Sequence, residues 1–357
     1  MNETAAIDWL NEPFVIPNAK TRQAAQARQA QLTKPSGSLG RLEDIAIHLA
    51  SLQGTLRPDV ERVQITIFAG DHGVAAEGVS AFPQAVTCEM IRNFANGGAA
   101  ISVLAQILGV QLEVINMGTA QDTEAFHNVS DYRLGPGTAN FIHEPAMTID
   151  QLTQALQAGR HAIERTHSMN TQLFIGGEMG IANTTAATAL ACILLDTEAV
   201  LLVGPGTGLD THGIAHKTTI IQRALDLHSN HITSPLEALR RVGGFEIAAL
   251  TGAYLRCAQL GIPVLIDGFI SSVAALTAEQ LRPGMKNWLL FSHTSAEPGH
   301  NLILDRLNAK PLCNLGLRLG EGSGAAITLP LLRMACTLHN EMATFSEAQV
   351  SGKTEIK

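Results

Sequence analysis

Apolar positions follow two rhythms along this chain: short dense runs, and longer stretches with helical spacing. The dense runs cover residues 63–68 (V-Q-I-T-I-F), 112–115, 173–175, 200–203, 263–266 and 288–291. Runs of that length, rich in Val, Ile, Leu and Phe, predict strands buried on both faces. Between them, residues 83–108, 150–167, 186–195, 212–227 and 245–260 place apolar side chains three and four apart, which predicts helices. Strands separated by helices predict an α/β fold with a parallel sheet covered by helices. A last alternating run, Leu315, Leu317 and Leu319, predicts one more strand before a glycine loop and an Ala-rich helix. The ends differ. Residues 18–33 are polar and rich in Ala and Gln, 41–52 have helical periodicity, and no strand pattern follows 325. The expected division is a large α/β domain over 54–325 and a small helical domain built from 1–53 and 326–357.

Each dense run stops on a loop of Gly, Asp, His or Ser, and in open α/β sheets ligands sit outside those strand ends. Residues 180–185 (G-I-A-N-T-T) precede a helix, so their amides and the helix dipole can cradle a phosphate, although any capped helix looks similar. Residues 204–208 read G-P-G-T-G, which lacks the G-x-G-x-x-G spacing of a dinucleotide fingerprint. Lys217 reaches a bound phosphate as a point charge, or is a solvated helix lysine. Glycines 320, 322 and 324 surround a single acid, Glu321. A carboxylate on such a loop can accept a proton from a substrate, or can serve a helix N-terminus electrostatically. The set Asp71, His72, Asp267, His293, Glu297 and His300 offers metal-ligand chemistry, but no two share a recognised spacing such as H-E-x-x-H.

Composition narrows the classes. Of 357 residues 46 % are apolar, ample for a large core. The net charge of −8 and the absence of a basic run argue against nucleic acid as the main partner. No apolar run reaches the ~18 residues that span a bilayer, so membrane insertion is not expected. Residues 1–13 carry three acids and no Lys or Arg, unlike a secretory signal. Five scattered cysteines without a C-x-x-C pair fit reduced thiols in the cytoplasm and no structural zinc.

Nine motifs then fall in order along nearly the whole chain. They are K-P-S-G-S-L-G-R-L-E at 34–43, A-G-D-H-G-V at 69–74, G-V-S-A-F-P at 78–83, N-G-G-A-A-I at 96–101 and G-E-M-G-I-A-N-T-T at 177–185. G-P-G-T-G-L-D at 204–210, D-G-F-I-S-S at 267–272, S-H-T-S-A-E-P-G-H at 292–300 and L-R-L-G-E-G-S-G-A-A at 317–326 complete the set. In these the chain resembles the nicotinate-nucleotide–dimethylbenzimidazole phosphoribosyltransferases. It departs from them at Ala182, where the family usually has Gly, and at Pro205, where Arg is common.

The resemblance implies a Rossmann-like sheet and a homodimer whose helical lobe uses both chain ends. It also implies a reaction: nicotinate mononucleotide plus 5,6-dimethylbenzimidazole gives α-ribazole 5′-phosphate plus nicotinate, with inversion at the anomeric carbon. The partners are then these small molecules, with no metal or organic cofactor. Glu321 matches the family's catalytic base, Glu178 a second carboxylate near the reacting ring, and Lys217 a lysine on the phosphate side. Ser80, Phe82, Gln84 and Leu319 fall where the family lines its flat base pocket. Gly180, Asn183, Thr184, Gly206, Thr207, Gly208 and Ser292 fall on the nucleotide and phosphate side. Two other readings remain open at this point: a metal-dependent hydrolase using Asp71, His72, Asp267 and His293, and a non-catalytic nucleotide-binding module.

Overall fold

Strand β1 (Val63–Gly70) is buried at all eight positions, as its run of apolar side chains demands. In the computed structural model, which describes residues 3–351, it sits at the centre of one parallel sheet. The other strands are β2 (Gln111–Gly118), β3 (Val129–Asp131), β4 (Leu173–Met179), β5 (Val264–Ile266) and β6 (Leu289–Phe291). Their order is β3-β2-β1-β4-β5-β6, with Ile65 of β1 in register with Leu112 and Ile175 on either side. The winding reverses between β1 and β4, the position where doubly wound sheets open a ligand crevice.

Among the described residues twelve α-helices cover and flank the sheet: α1 (Ala19–Gln31), α2 (Arg41–Gln53), α3 (Ala85–Ala95), α4 (Ala100–Leu108), α5 (Ile149–Ser168), α6 (Asn183–Leu195), α7 (Thr211–His228), α8 (Pro235–Val242), α9 (Phe245–Leu260), α10 (Phe269–Leu281), α11 (His300–Leu307) and α12 (Ser323–Glu341). Helix α9 is buried nearly throughout, packed between α5, α10 and the sheet. Its contact with α5 depends on glycine. A Cβ at Gly159 would overlap the Ala249 backbone, and one at Gly252 the Leu156 backbone. At the termini, α2 packs against both α1 and α12. The Arg28 guanidinium donates to the carbonyls of His339, Asn340 and Met342 at 2.8, 3.0 and 3.2 Å, and Leu32 and Thr344 form an antiparallel bridge.

Three expectations from the apolar pattern are corrected. Residues 200–203 are not a strand: Ala199–Leu201 is a 3-10 turn whose Val200 and Leu201 are more than half exposed. Residues 315–319 form no strand of the sheet: Gly316 (φ +69) interrupts the run, and Leu315 and Leu319 are exposed. The single helix expected over 83–108 is two, α3 and α4, broken at Gly97 (φ +79) and at Gly98, where a Cβ would overlap the Asn93 side chain. Strand β3, only three residues long and partly exposed, carried no apolar run to reveal it.

Candidate active site

Three turns out of the sheet and the turn into α12 converge on the switch point. After β4 the chain passes Gly180 and Ile181 to Ala182, whose left-handed backbone (φ +73) starts α6. Opposite it, Gly320, Glu321 and Gly322 all adopt positive φ (+88, +64 and +78) and start α12. A left-handed conformation at Ala or Glu costs roughly 1–2 kcal/mol and is kept where surrounding structure over-determines it. Gly320 is required sterically as well, since a Cβ there would overlap the Glu178 carboxylate. The third turn, after β5, carries Asp267. Its carboxylate accepts the amides of Gly322 (3.2 Å) and Ala325 (2.9 Å), so it pins the Glu321 loop to the sheet. The fourth, after β6, carries His293, whose Nε2 lies 3.6 Å from Asp267.

These turns enclose a cavity of about 290 Å³. Its β4 wall is Glu178, Gly180, Ile181, Asn183 and Thr184; its far walls are Asp267, His293, Ser295 and Glu297. Gly206 and Thr207 close one side, and Arg318, Leu319 and Gly320 another. Phe82 and Leu319 line it while remaining 51 % and 61 % exposed, so neither serves as a core anchor.

The site concentrates carboxyl groups in a dry setting. Burial, and then the charges of Asp267 and Glu246, raise the Glu178 pKa well above its ordinary value, against a hydrogen bond from Asn183 Nδ2. Burial likewise raises Glu321 to about 7; Asp267 adds to the rise and a hydrogen bond from the Ile101 amide opposes it. The Oε2 atom of Glu321 is buried without a partner. On the other side, Lys217 Nζ donates to Thr184 Oγ1 at 2.8 Å, and burial lowers its pKa to about 8 against the pull of Glu297. Arg318 donates to the Gly206 carbonyl at 2.9 Å. Thr207 Oγ1 meets Ser80 Oγ at 3.2 Å and accepts the Ala81 amide at 3.2 Å, tying the 78–84 loop to the 204–208 loop.

Of the residues singled out from sequence, Phe82, Glu178, Gly180, Asn183, Thr184, Gly206, Thr207 and Leu319 line the cavity. Glu321 stands one residue behind the wall, Lys217 is buried beneath Thr184, and Ser80 holds Thr207. Gln84 Nε2 donates to the His72 carbonyl at 2.9 Å, Ser292 Oγ donates to the Asp267 carbonyl at 3.3 Å, and Gly208 (φ +116) shapes its turn. Sequence reasoning missed Ser295 and Arg318 as wall residues, and considered Asp267, His293 and Glu297 only as metal ligands. The one signal for Arg318 was a charged residue inside an alternating leucine run.

The remaining acids and histidines already have partners within the protein. His72 Nε2 pairs with Glu246 Oε1 at 2.8 Å; burial opposes the ring's charge, but Glu246 and Asp71 outweigh it and raise the pKa. Asp71 accepts Thr87 Oγ1 (2.6 Å) and the Ala120 amide (2.8 Å). His300 Nδ1 accepts the Ser295 amide at 2.7 Å, and its Nε2 meets Ser272 Oγ at 2.9 Å. Among the described residues no three His, Cys, Asp or Glu side chains converge as a metal ion would require. The hydrolase reading has no support in this geometry.

Comparison with known proteins covers nearly the whole chain. A family model described as Phosphoribosyltransferase matches residues 15–350. The chain is 59 % identical over 348 residues to the nicotinate-nucleotide–dimethylbenzimidazole phosphoribosyltransferase of Pseudomonas aeruginosa (strain UCBPP-PA14), covering 98 % of this chain and 99 % of that one. It is 60 % identical over 344 residues to the Azotobacter vinelandii enzyme of the same name, covering 96 % and 97 %. Among solved structures it resembles CobT from Thermus thermophilus, with a TM-score of 0.90 and 41 % identity over 94 % of this chain and 100 % of that one. The chain belongs to the nicotinate-nucleotide–dimethylbenzimidazole phosphoribosyltransferase family.

Proposed function

We propose that this enzyme transfers the phosphoribosyl group of nicotinate mononucleotide to 5,6-dimethylbenzimidazole or a related base, releasing nicotinate and inverting the anomeric carbon. The observation that carries the mechanism is the buried carboxyl pair at the switch point, with Glu321 poised at about 7. Nicotinate leaves from a pyridinium, so its departure needs no acid. The entering benzimidazole bonds through one ring nitrogen and must lose the proton on the other. Glu321 takes that proton, and a base with pKa near the working pH is the efficient choice. The same carboxylate stabilises positive charge at the ribosyl carbon. Burial and the neighbouring acids favour the neutral form of Glu178, which faces the cavity beside the ring.

Phe82 and Leu319 supply an apolar slot for a flat bicycle, with Ser80 and Gln84 shaping its loop. Gly180, Asn183 and Thr184 at the start of α6, together with the loop of Gly206, Thr207 and Gly208, form the nucleotide side, where helix dipole and amides favour a phosphate. Lys217 supports that side through Thr184, and Ser292 by holding the Asp267 backbone. The phosphate contacts use α6 amides, so Ala182 in place of Gly costs strain at the turn rather than a contact.

The helical elements of 1–53 and 326–357 are proposed as one lobe beside the 54–325 domain, supported by the Arg28 bonds and the Leu32–Thr344 bridge. A homodimer is proposed on the resemblance, and a cytoplasmic site on the five unpaired cysteines. Among the described residues no helix is long and apolar enough to cross a membrane. The deciding experiment incubates purified protein with nicotinate mononucleotide and a panel of benzimidazoles, purines and phenols, with products read by mass spectrometry. Nucleotide binding without nicotinate release would replace this reading with the non-catalytic module.

A further inference from the structure

The nucleotide side of the cavity must accept a phosphate monoester, and a dianion leaving water needs positive charge within reach. Lys217 is the obvious cation, yet it is 1 % exposed, lies outside the cavity wall and already donates to Thr184 Oγ1. Among the described residues lining the cavity, the permanently cationic one is Arg318. Its guanidinium is anchored at one end, donating through Nη1 to the Gly206 carbonyl at 2.9 Å, and a guanidinium has five N–H donors in a rigid fork. The anchor therefore orients the group beside the Gly206–Thr207 wall and leaves donors for a ligand.

The local charge makes the same point. Glu297 lines the cavity and interacts electrostatically with both Lys217 and Arg318. Arg318 therefore adds a fixed positive charge to the wall beside Gly206 and Thr207, next to the α6 N-terminus whose dipole also favours an anion. Pro205 in the adjacent turn adds neither a charge nor an amide donor, so that turn offers amides but no cation.

We propose that Arg318 is the group that directly grips the substrate 5′-phosphate, with Lys217 acting one residue back by orienting the Thr184 hydroxyl. The inference rests on the phosphoribosyl-transfer reading and deepens it: the phosphate is recognised by a planar fork carried on the same segment as Leu319 and Glu321. One short stretch of chain, 318–321, thus meets the phosphate side, the base slot and the proton acceptor. Nucleotide is thereby separated from riboside by a contact remote from the anomeric carbon.

The test measures calorimetric binding of nicotinate mononucleotide and of nicotinate riboside, without any base, to the intact enzyme and to Arg318→Gln and Arg318→Lys. Arg318 is exposed, so both variants should keep the fold, checked by thermal unfolding. For Arg318→Gln the nucleotide affinity should fall roughly 10–100-fold, the range of a charge-assisted contact, while riboside affinity stays unchanged. Arg318→Lys should recover part of the loss, since it keeps the charge and loses the fork. In turnover assays KM for the nucleotide should rise and kcat at saturation should hold. Equal losses for nucleotide and riboside, or unchanged nucleotide affinity, would overturn the assignment. Binding is read without a base, so the two readings fail separately. Arg318-dependent affinity with no product from any base defeats transfer alone. Product formation with Arg318-independent affinity defeats this assignment alone.

Discussion

At the scale of single residues, Glu321 combines a left-handed backbone, burial and a pKa of about 7. Glu321→Gln keeps shape and backbone strain but cannot accept a proton, so turnover should fall roughly 10²–10⁴-fold with substrate binding retained. Near-wild-type turnover would remove it from the mechanism. In the wild type, turnover should drop on the acid side of about pH 7, as Glu321 becomes protonated. Stability runs the other way. A carboxyl whose folded pKa is raised holds its proton longer when folded, so its contribution is complete below about 4.5 and is lost as pH rises to about 7. Glu321→Gln should therefore gain on the order of 1–3 kcal/mol over wild type above pH 7 and nothing at pH 4, in parallel denaturant titrations. Phe82 lends itself to a different measurement. Phe82→Ala should raise KM for dimethylbenzimidazole more than for unsubstituted benzimidazole, because apolar contact area is what is lost. Since the ring is half exposed, the melting temperature should not move; equal KM changes for all bases with a lowered melting temperature would make Phe82 a structural anchor instead.

At the scale of elements, the site is made where strand ends meet the turn into α12. Gly320→Ala tests this: its φ of +88 and the overlap of a Cβ with Glu178 both oppose the change. It should destabilise the protein by roughly 1–3 kcal/mol and cut turnover, as the Glu321 loop and the Glu178 carboxyl move apart. Unchanged stability would mean that the loop relaxes freely. Five of the six strands were legible from dense apolar runs, because a parallel strand buried on both faces has nowhere to hide its composition. Strand β3 was not, being three partly exposed residues. The false strand at 200–203 shows the converse, since four apolar residues without a neighbouring strand form a turn. Loop positions were legible as glycine and acid clusters, but the pairing inside them was not. Nothing in the one-dimensional order says that Asp267 holds amides 55 and 58 residues away, or that Lys217 ends on Thr184.

At the scale of the molecule, two helices that pack on each other, α4 and α12, each carry two exposed apolar side chains. Val103 and Ile107 lie one turn apart on α4, and Ile327 and Met334 two turns apart on α12; Ile107 is 74 % exposed and Met334 48 %. Arg333 fastens the pair by donating to the Leu108 carbonyl at 2.9 Å. Apolar side chains displayed together in this way are the usual mark of an interface, and a twofold dimer needs one self-complementary patch. If the proposed homodimer uses this face, disrupting it should dissociate the protein. Both helices border the active site: α12 begins at the Glu321 loop, and the Ile101 amide in the first turn of α4 donates to the Glu321 carboxylate. A contact that steadies α4 against α12 would steady the catalytic carboxylate too. The double change Ile107→Glu with Met334→Glu places like charges on the face, far enough along both helices to leave their first turns intact. Sedimentation equilibrium should show wild type as a dimer and the variant as a monomer. Turnover per chain should fall, and the acid limb of the pH profile should shift as the Ile101–Glu321 contact loosens. A variant that stays dimeric places the interface elsewhere. One that dissociates with unaltered turnover and pH profile shows that each subunit works alone and that the face serves assembly only.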